Sequence, residues 1–311
     1  GRHATRTEQP GLRANSPSTS PLESQKGENA AMTHEEGTLA TDDGLDLYWQ
    51  SWQPPGTPEG VLLFVHGLAE HSGRYLNPVR HFVARGWTCF GFDYRGHGKS
   101  PGPRVHVDSF DEFLDDLAEG HRLVKIRHPA QKIIVVGHSQ GGLLSLLYAE
   151  QNPERLDGVV VSSPFLGIHP DSRPSPVLTA TSRFLSRVAP KMMFSKVADP
   201  AFLSRDPEVE KNYLDDPLVS NEVSVRWAVS VMDAQQKALS EASLMTIPAL
   251  VMQAGDDRLA DPEATRTWVA SAPGDLVDYV EWDGYYHELF NEPLLDRRLV
   301  FDTMESWLQR H

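Results

Sequence analysis

Ile133-Ile134-Val135-Val136-Gly137-His138-Ser139-Gln140-Gly141-Gly142-Leu143-Leu144 is the stretch on which the fold is decided. Its first four residues form a short, uninterrupted apolar run, the mark of a strand buried on both faces of a parallel sheet. Leu143, Leu144, Leu146 and Leu147 then open a helix that should stop near Asn152-Pro153. Between strand and helix stands G-x-S-x-G. A turn this tight leaves no room for side chains two residues before and two after the serine, so glycines occupy 137 and 141. The serine is pushed out at the carboxyl end of the strand. The N-terminus of the following helix brings backbone N–H groups and a dipole that favours developing negative charge. Ser139 is therefore the candidate nucleophile.

Working outward, similar apolar runs recur at Val61–Val65, Thr88–Phe92, Val159–Val161, Ala249–Met252 and Val277–Val280. Helical patterns fill the gaps. Ser109 and Glu112 read as a capping box ahead of Phe110, Phe113, Leu114, Leu117 and Val124. Pro293 opens a terminal helix carrying Leu294, Leu295, Leu299, Phe301, Met304 and Leu308. Strands alternating with helices predict an α/β fold with a mostly parallel, doubly wound sheet. Asp43-Gly44 between two alternating runs predicts a two-residue hairpin in front of it.

Order is expected from about Thr38, giving a domain over 38–311. Residues 1–37 read as a disordered extension, because their Ser, Pro, Gly and charge cannot bury a core. Met32 is a candidate natural start, with residues 1–31 as upstream sequence. From Pro164 to about Met245 no buried strand is legible, but helical patches appear near 176–190 and 221–240. A segment of this size between core strands predicts an inserted helical lid over about 164–245. Its Val177-Leu178, Phe184-Leu185, Val188 and Met192-Met193-Phe194 are apolar enough to make transient contact with a membrane.

A serine hydroxyl needs a base. On this kind of fold the order is serine, acid, histidine, with each group at the carboxyl end of a strand. Asp256-Asp257 follows the run at 249–252, and spacing alone does not choose between them. His287 follows the last strand. The oxyanion of an acyl intermediate needs two donors. One should be the backbone N–H of Gln140, and the other that of Leu68 in His66-Gly67-Leu68-Ala69-Glu70, where Gly67 permits close approach. His66 precedes the acid rather than following it, and reads as a brace for that loop.

Other classes of function fit poorly. A net charge of −14 disfavours nucleic acid and anionic membranes and suits a small neutral ester or lipid. The single cysteine, Cys89, lies in a strand-like run and reads as core. Asp93–Ser100 lacks the spacing of a phosphate loop, and the remaining histidines lack metal-ligand spacing, so neither metal nor cofactor is expected. No apolar window reaches the roughly 18 residues of a membrane span, and no signal segment is visible, so a cytoplasmic location is the expectation.

His66-Gly67-Leu68-Ala69-Glu70-His71-Ser72-Gly73-Arg74-Tyr75, Phe92–Ser100 and Gly137–Gly142 closely resemble monoacylglycerol lipases and their lysophospholipase-like relatives among the α/β-hydrolases. Asp216-Pro217-Leu218 and Asp257-Arg258-Leu259 also match, and the likeness runs from about Leu39 to the C-terminus. The resemblance implies a cap over an apolar acyl tunnel and release of one acyl chain from glycerol. It selects Asp257 as the acid and agrees on Leu68 and Gln140. It also implies glycerol-pocket roles for Glu70, Arg74 and Tyr213. Mammalian members carry a second histidine three residues after the catalytic one. Phe290 stands there, which implies weaker polar recognition and broader ester specificity. A general carboxylesterase, with polyesters among its substrates, is the nearest alternative. A peptidase of the prolyl aminopeptidase type would need Glu70 as an amine anchor, and a non-catalytic binding protein would not need the triad.

Overall fold

The computed structural model describes residues 32–195 and 198–311. In chain order its elements are β1 (Thr33–Ala40), β2 (Asp46–Gln53), β3 (Gly60–Val65), α1 (Leu76–Val83), β4 (Trp87–Phe92), α2 (Asp111–Arg127), β5 (Ile133–His138), α3 (Gln140–Gln151) and β6 (Gly158–Ser162). Then follow α4 (Pro176–Val188), β7 (Met193–Ser195), α5 (Pro207–Asp215), β8 (Glu222–Ser224), α6 (Val225–Glu241), β9 (Ala249–Ala254), α7 (Pro262–Ser271), β10 (Val277–Trp282) and α8 (Leu294–Leu308).

Eight strands form one sheet in the order β1-β2-β4-β3-β5-β6-β9-β10. All pairs from β4 through β10 are parallel, and β1 and β2 add antiparallel strands at one edge. The period of two sorts the side chains between two layers. Val61, Leu63, Val65, Ile133, Val135 and Val251 join the core on one face; Leu62, Phe64, Ile134, Val136, Leu250 and Met252 join the core on the other. Alternate residues thus have an apolar layer to enter on either side, which is why these strands read as unbroken apolar runs. The chain leaves β3 for β4 on one side and later for β5 on the other. The strand order therefore reverses between β3 and β5, and the loops at the carboxyl ends of these two strands face each other across the crevice where such sheets bind ligands.

Two expectations at the N-terminal edge are corrected. The ordered fold begins ahead of Thr38: β1 starts at Thr33 and pairs with β2 along its whole length, from Thr33 opposite Gln53 to Ala40 opposite Asp46. Its sequence, THEEGTLA, reads like a polar tail because an edge strand half open to water tolerates charge. Of the extension expected over residues 1–37, the part over 1–31 lies outside the described residues. The hairpin is also longer than two residues. Thr41 N–H donates to Leu45 O (2.8 Å), Gly44 N–H donates to Thr41 O (3.0 Å), and Gly44 takes φ +89°.

The excursion between β6 and β9 holds α4, α5, α6 and a small antiparallel pair of β7 and β8. α4 and α6 match the two helical patches. α5, short and polar, and the pair, with strands of only three residues each, were not legible. The capping box forms by half: Glu112 accepts from Ser109 N–H (3.1 Å), while Ser109 Oγ accepts from Asp111 N–H (3.2 Å) rather than from Glu112. α8 packs Phe301, Met304 and Leu308 inward but leaves Leu294, Leu295 and Leu299 exposed. Among the described residues, no helix is long and apolar enough to cross a membrane.

Candidate active site

The turn after β5 is built as its glycines require. A Cβ at Gly137 would stand 2.3 Å from Gly141 O, and one at Gly141 would stand 2.1 Å from Val65 O. Both obstacles are backbone, so α3 rides directly over β5 and β3. Ser139 takes φ +53°, a left-handed conformation that costs a side-chain-bearing residue about 1–3 kcal/mol. Its main chain is held on both sides: Ser139 N–H donates to Ser162 O (3.0 Å), and Phe165 N–H donates to Ser139 O (2.9 Å).

Ser139, Asp257 and His287 come together from the ends of β5, β9 and β10. His287 Nε2 is 2.9 Å from Ser139 Oγ, and His287 Nδ1 is 2.7 Å from Asp257 Oδ2. Asp257 Oδ1 accepts the backbone N–H groups of Leu259 and Ala260, both at 2.9 Å, so the carboxylate cannot rotate freely. Gln253 Nε2 donates to Oδ2 at 3.2 Å. This geometry separates the Asp256-Asp257 doublet that spacing left open. Ser139 is 8% exposed, His287 4% and Asp257 2%. Burial by itself would depress the imidazole of His287, but the Asp257 carboxylate against Nδ1 outweighs it and holds the pKa above the usual value. The backbone of the His287 loop is gripped by the excursion: Glu288 N–H donates to Leu203 O at 2.7 Å.

The loop after β3 lies against the serine. A Cβ on Gly67 would be 3.2 Å from Ser139 Cβ. Among the described residues, the N–H groups of Leu68 and Gln140 donate to no protein acceptor, which leaves both for a ligand. His66 is fully buried. Its Nδ1 lies 2.8 Å from Gly67 O and its ring stacks on Tyr94 at 3.8 Å, in keeping with a brace. Burial pushes its pKa down to about 4, so it is neutral at pH 7. The Asp93 loop holds the same neighbourhood: Asp93 Oδ1 accepts from Ser72 N–H (2.7 Å).

Glu70, Arg74 and Tyr213 are also brought together, but as an internal network. Glu70 Oε1 accepts from Gly67 N–H (2.6 Å) and Tyr75 Oη (2.7 Å), and its Oε2 accepts from Arg74 (2.6 Å). Arg74 then forks onto Glu288 at 2.8 and 3.0 Å, and its guanidinium lies 5.0 Å from the Tyr213 ring centre. Despite burial, Arg74 holds the Glu70 carboxyl below its ordinary range. Glu288 comes from the loop of His287, and sequence reading, which set it aside as too close to His287 to be the acid, gave it no role at this pocket. No local signal marks its pairing with Arg74. Phe290 is 3% exposed and packs against Tyr75 and Phe301. The cavity bordered by Glu70, Tyr75, His138, Glu288, Phe290 and Asn291 is about 10 Å³, room for roughly one water. His138, also buried, faces the His287 ring at 4.8 Å and is pushed down to about 4 by burial and by that neighbour.

Comparison with known proteins agrees with this architecture. A family model described as serine aminopeptidase, S33, matches residues 56–294. A monoacylglycerol lipase of Mycolicibacterium smegmatis is 34% identical over 280 residues, spanning 90% of this chain and 98% of that protein. A monoglyceride lipase of Rattus norvegicus is 28% identical over 271 residues, spanning 87% and 89%. The crystal structure of a Paleococcus ferrophilus monoacylglycerol lipase superposes with a TM-score of 0.75 at 33% identity, covering 85% of this chain and 99% of that one.

Proposed function

The chain belongs to the serine aminopeptidase family of that model and to the monoacylglycerol lipase-like α/β-hydrolases, and from this premise we propose that it releases the acyl chain of monoacylglycerols through an acyl-enzyme on Ser139. The observation that carries the reading is the hydrogen-bonded line from Asp257 through His287 to Ser139, at 2.7 and 2.9 Å. Ser139 Oγ attacks the ester carbonyl while its proton passes to His287 Nε2. Asp257 fixes the tautomer and stabilises the imidazolium. The carbonyl oxygen becomes an oxyanion held by Leu68 and Gln140 N–H. Collapse breaks the bond to the alcohol, which leaves with the proton from His287. Water, deprotonated by His287, then attacks the acyl carbonyl, and His287 returns that proton to Ser139 Oγ as the acyl bond breaks and the fatty acid leaves.

The segment over about 164–245 acts as the cap. With Ser139 8% exposed, the substrate reaches it only after the cap shifts. On α4, Val177, Leu178, Phe184 and Val188 are all more than half exposed, an apolar face suited to a lipid surface. The polar end of the site, where glycerol would lie, falls to Arg74 and Tyr213 with Glu70 as their brace. A peptidase would need Glu70 as a free anchor for a substrate amine, and both of its oxygens are already engaged, by Arg74, Tyr75 and Gly67.

The test compares monoacylglycerols with p-nitrophenyl esters of matching chain length, for the wild type and Ser139→Ala. Preference for the glycerides, abolished in the variant, supports the proposal. Equal turnover confined to short esters would make the protein a general esterase.

A further inference from the structure

A buried line of hydrogen bonds runs from the cap into the loop that supplies an oxyanion donor. Trp227, on α6, donates its indole Nε1–H to Gln140 Oε1 at 2.7 Å. Gln140 Nε2 donates to Tyr94 Oη at 3.1 Å, and Tyr94 Oη donates to Gly67 O at 2.8 Å. Gly67 O belongs to the same peptide plane as Leu68 N–H. We infer that Trp227, Gln140 and Tyr94 are positioning residues that couple the seating of the cap to the aim and strength of the Leu68 oxyanion donor. This rests on the proposed function, because it presumes that Leu68 N–H meets the oxyanion.

The direction of the line is fixed by donor chemistry. An indole can only donate, so it must meet the carbonyl oxygen of Gln140, which turns the NH₂ toward Tyr94. The phenol has one proton. With the amide donating to its oxygen, that proton is left for the loop carbonyls, Gly67 O at 2.8 Å and His66 O at 3.0 Å. A carbonyl that accepts a hydrogen bond makes the N–H of the same peptide a better donor, and bonds in series strengthen one another in a low-dielectric interior. The three side chains are buried, at 5% for Trp227 and 0% for Gln140 and Tyr94, so water does not compete for the links. That peptide plane is held elsewhere too, since His66 Nδ1 also reaches Gly67 O, and the plane before it is held by Glu70, which accepts from Gly67 N–H. Losing one link therefore loosens the plane without collapsing the loop.

α6 is suited to carry this coupling because it has a second tether to the nucleophile. Gln235 Nε2 donates to Phe165 O at 2.9 Å, and Phe165 N–H donates to Ser139 O. With the cap seated, both tethers hold. When α6 moves away, the indole leaves, the Gln140 amide is free to turn, and Tyr94 loses the donor that directs its proton. Full oxyanion stabilisation is thus reserved for the seated cap.

The test uses full-length protein carrying Trp227→Phe, Tyr94→Phe or Gln140→Met; the last two nearly conserve volume, and Trp227→Phe keeps an aromatic ring while removing the indole donor. Kinetics are measured on a p-nitrophenyl ester, and affinity on an alkyl trifluoromethyl ketone, whose serine adduct places an oxyanion in the hole. Misaiming one donor should cost a fraction of the 10²–10³ lost on removing one. The expected result is a fall in kcat of about tenfold with KM within about twofold, a matching loss of ketone affinity, and no further loss when Trp227→Phe and Tyr94→Phe are combined. If kcat stays within twofold of wild type, or if KM and ketone affinity change while kcat does not, the relay is overturned. Should Tyr94→Phe fail to fold, Trp227→Phe decides, since it removes the first donor and leaves Gln140 and Tyr94 in place. Failure of the underlying reading looks different: the wild type would not cleave esters, or Ser139→Ala would cleave them.

Discussion

Replacing Asp257 by asparagine changes one atom, and the structure dictates what that atom does. Oδ1 of Asp257 accepts two backbone N–H groups, from Leu259 and Ala260. An asparagine must keep its carbonyl oxygen there, because the flipped amide would face two donors with a third. Its NH₂ is then directed at His287 Nδ1, which Oδ2 now meets at 2.7 Å. His287 must accept at Nδ1, so its proton moves to Nε2 and points at Ser139 Oγ, where a base is needed. The wrong tautomer in a triad of this kind costs about 10⁴ in kcat, equivalent to about 5 kcal/mol of barrier. The same NH₂ also confronts Gln253 Nε2. Gln253 cannot simply turn, since its Oε1 accepts from Thr265 and its Nε2 donates to Ala254 O. A stability loss of about 1–3 kcal/mol therefore accompanies the catalytic one. Steady-state hydrolysis of a p-nitrophenyl ester, with Ser139→Ala as the floor and thermal unfolding alongside, reads both. A folded Asp257→Asn protein within tenfold of wild type would refute the assignment of Asp257 as the acid.

Three further outcomes are expected. His287 must be neutral to act as a base and is held above its ordinary value, so kcat/KM should fall as pH drops through a midpoint above about 6.5; a pH–rate profile with a lower midpoint contradicts this. Glu150, in the last turn of α3, is pushed up to about 8 by burial, with Trp268 bonded to one oxygen and Glu241 and Lys237 on α6 nearby. The folded protein keeps that proton where the unfolded chain has lost it, so stability should decline from about pH 4.5 to 8. Glu150→Gln should be more stable at pH 8 by up to about 4 kcal/mol in denaturant titrations, with little gain at pH 4. Gly141→Ala drives a Cβ into Val65 O and should cost at least about 3 kcal/mol by the same titration, whereas Gly274→Ala, with open space around it, should stay within about 0.5 kcal/mol.

The parts of this protein legible in its sequence are those where backbone geometry leaves few choices. Gly137 and Gly141 are demanded by contacts with main-chain atoms, and the unbroken apolar runs of β3, β5 and β9 by burial on both faces. With the sheet in place, the order Ser139, Asp257, His287 follows from which loops share the carboxyl edge. What was not legible depends on partners distant in sequence. THEEGTLA becomes a strand only because β2 supplies its bonds, and polarity alone made it look like a tail. Spacing could not separate Asp256 from Asp257; the N–H groups of Leu259 and Ala260 and the reach of His287 do so. The fork of Arg74 onto Glu288 and the link of Trp227 to Gln140 join residues far apart along the chain, with no local pattern to announce them. The exposed Leu294, Leu295 and Leu299 carry the helical period of α8 while facing away from the core.

The most direct measurement of the central claim is covalent. The full chain is treated with an alkyl fluorophosphonate, digested, and mapped by mass spectrometry beside Ser139→Ala and His287→Ala. A single adduct on the peptide bearing Ser139, absent from Ser139→Ala and formed far more slowly in His287→Ala, is the predicted result. An adduct on another residue, or equal labelling of Ser139→Ala, would contradict the account of Ser139 as the nucleophile.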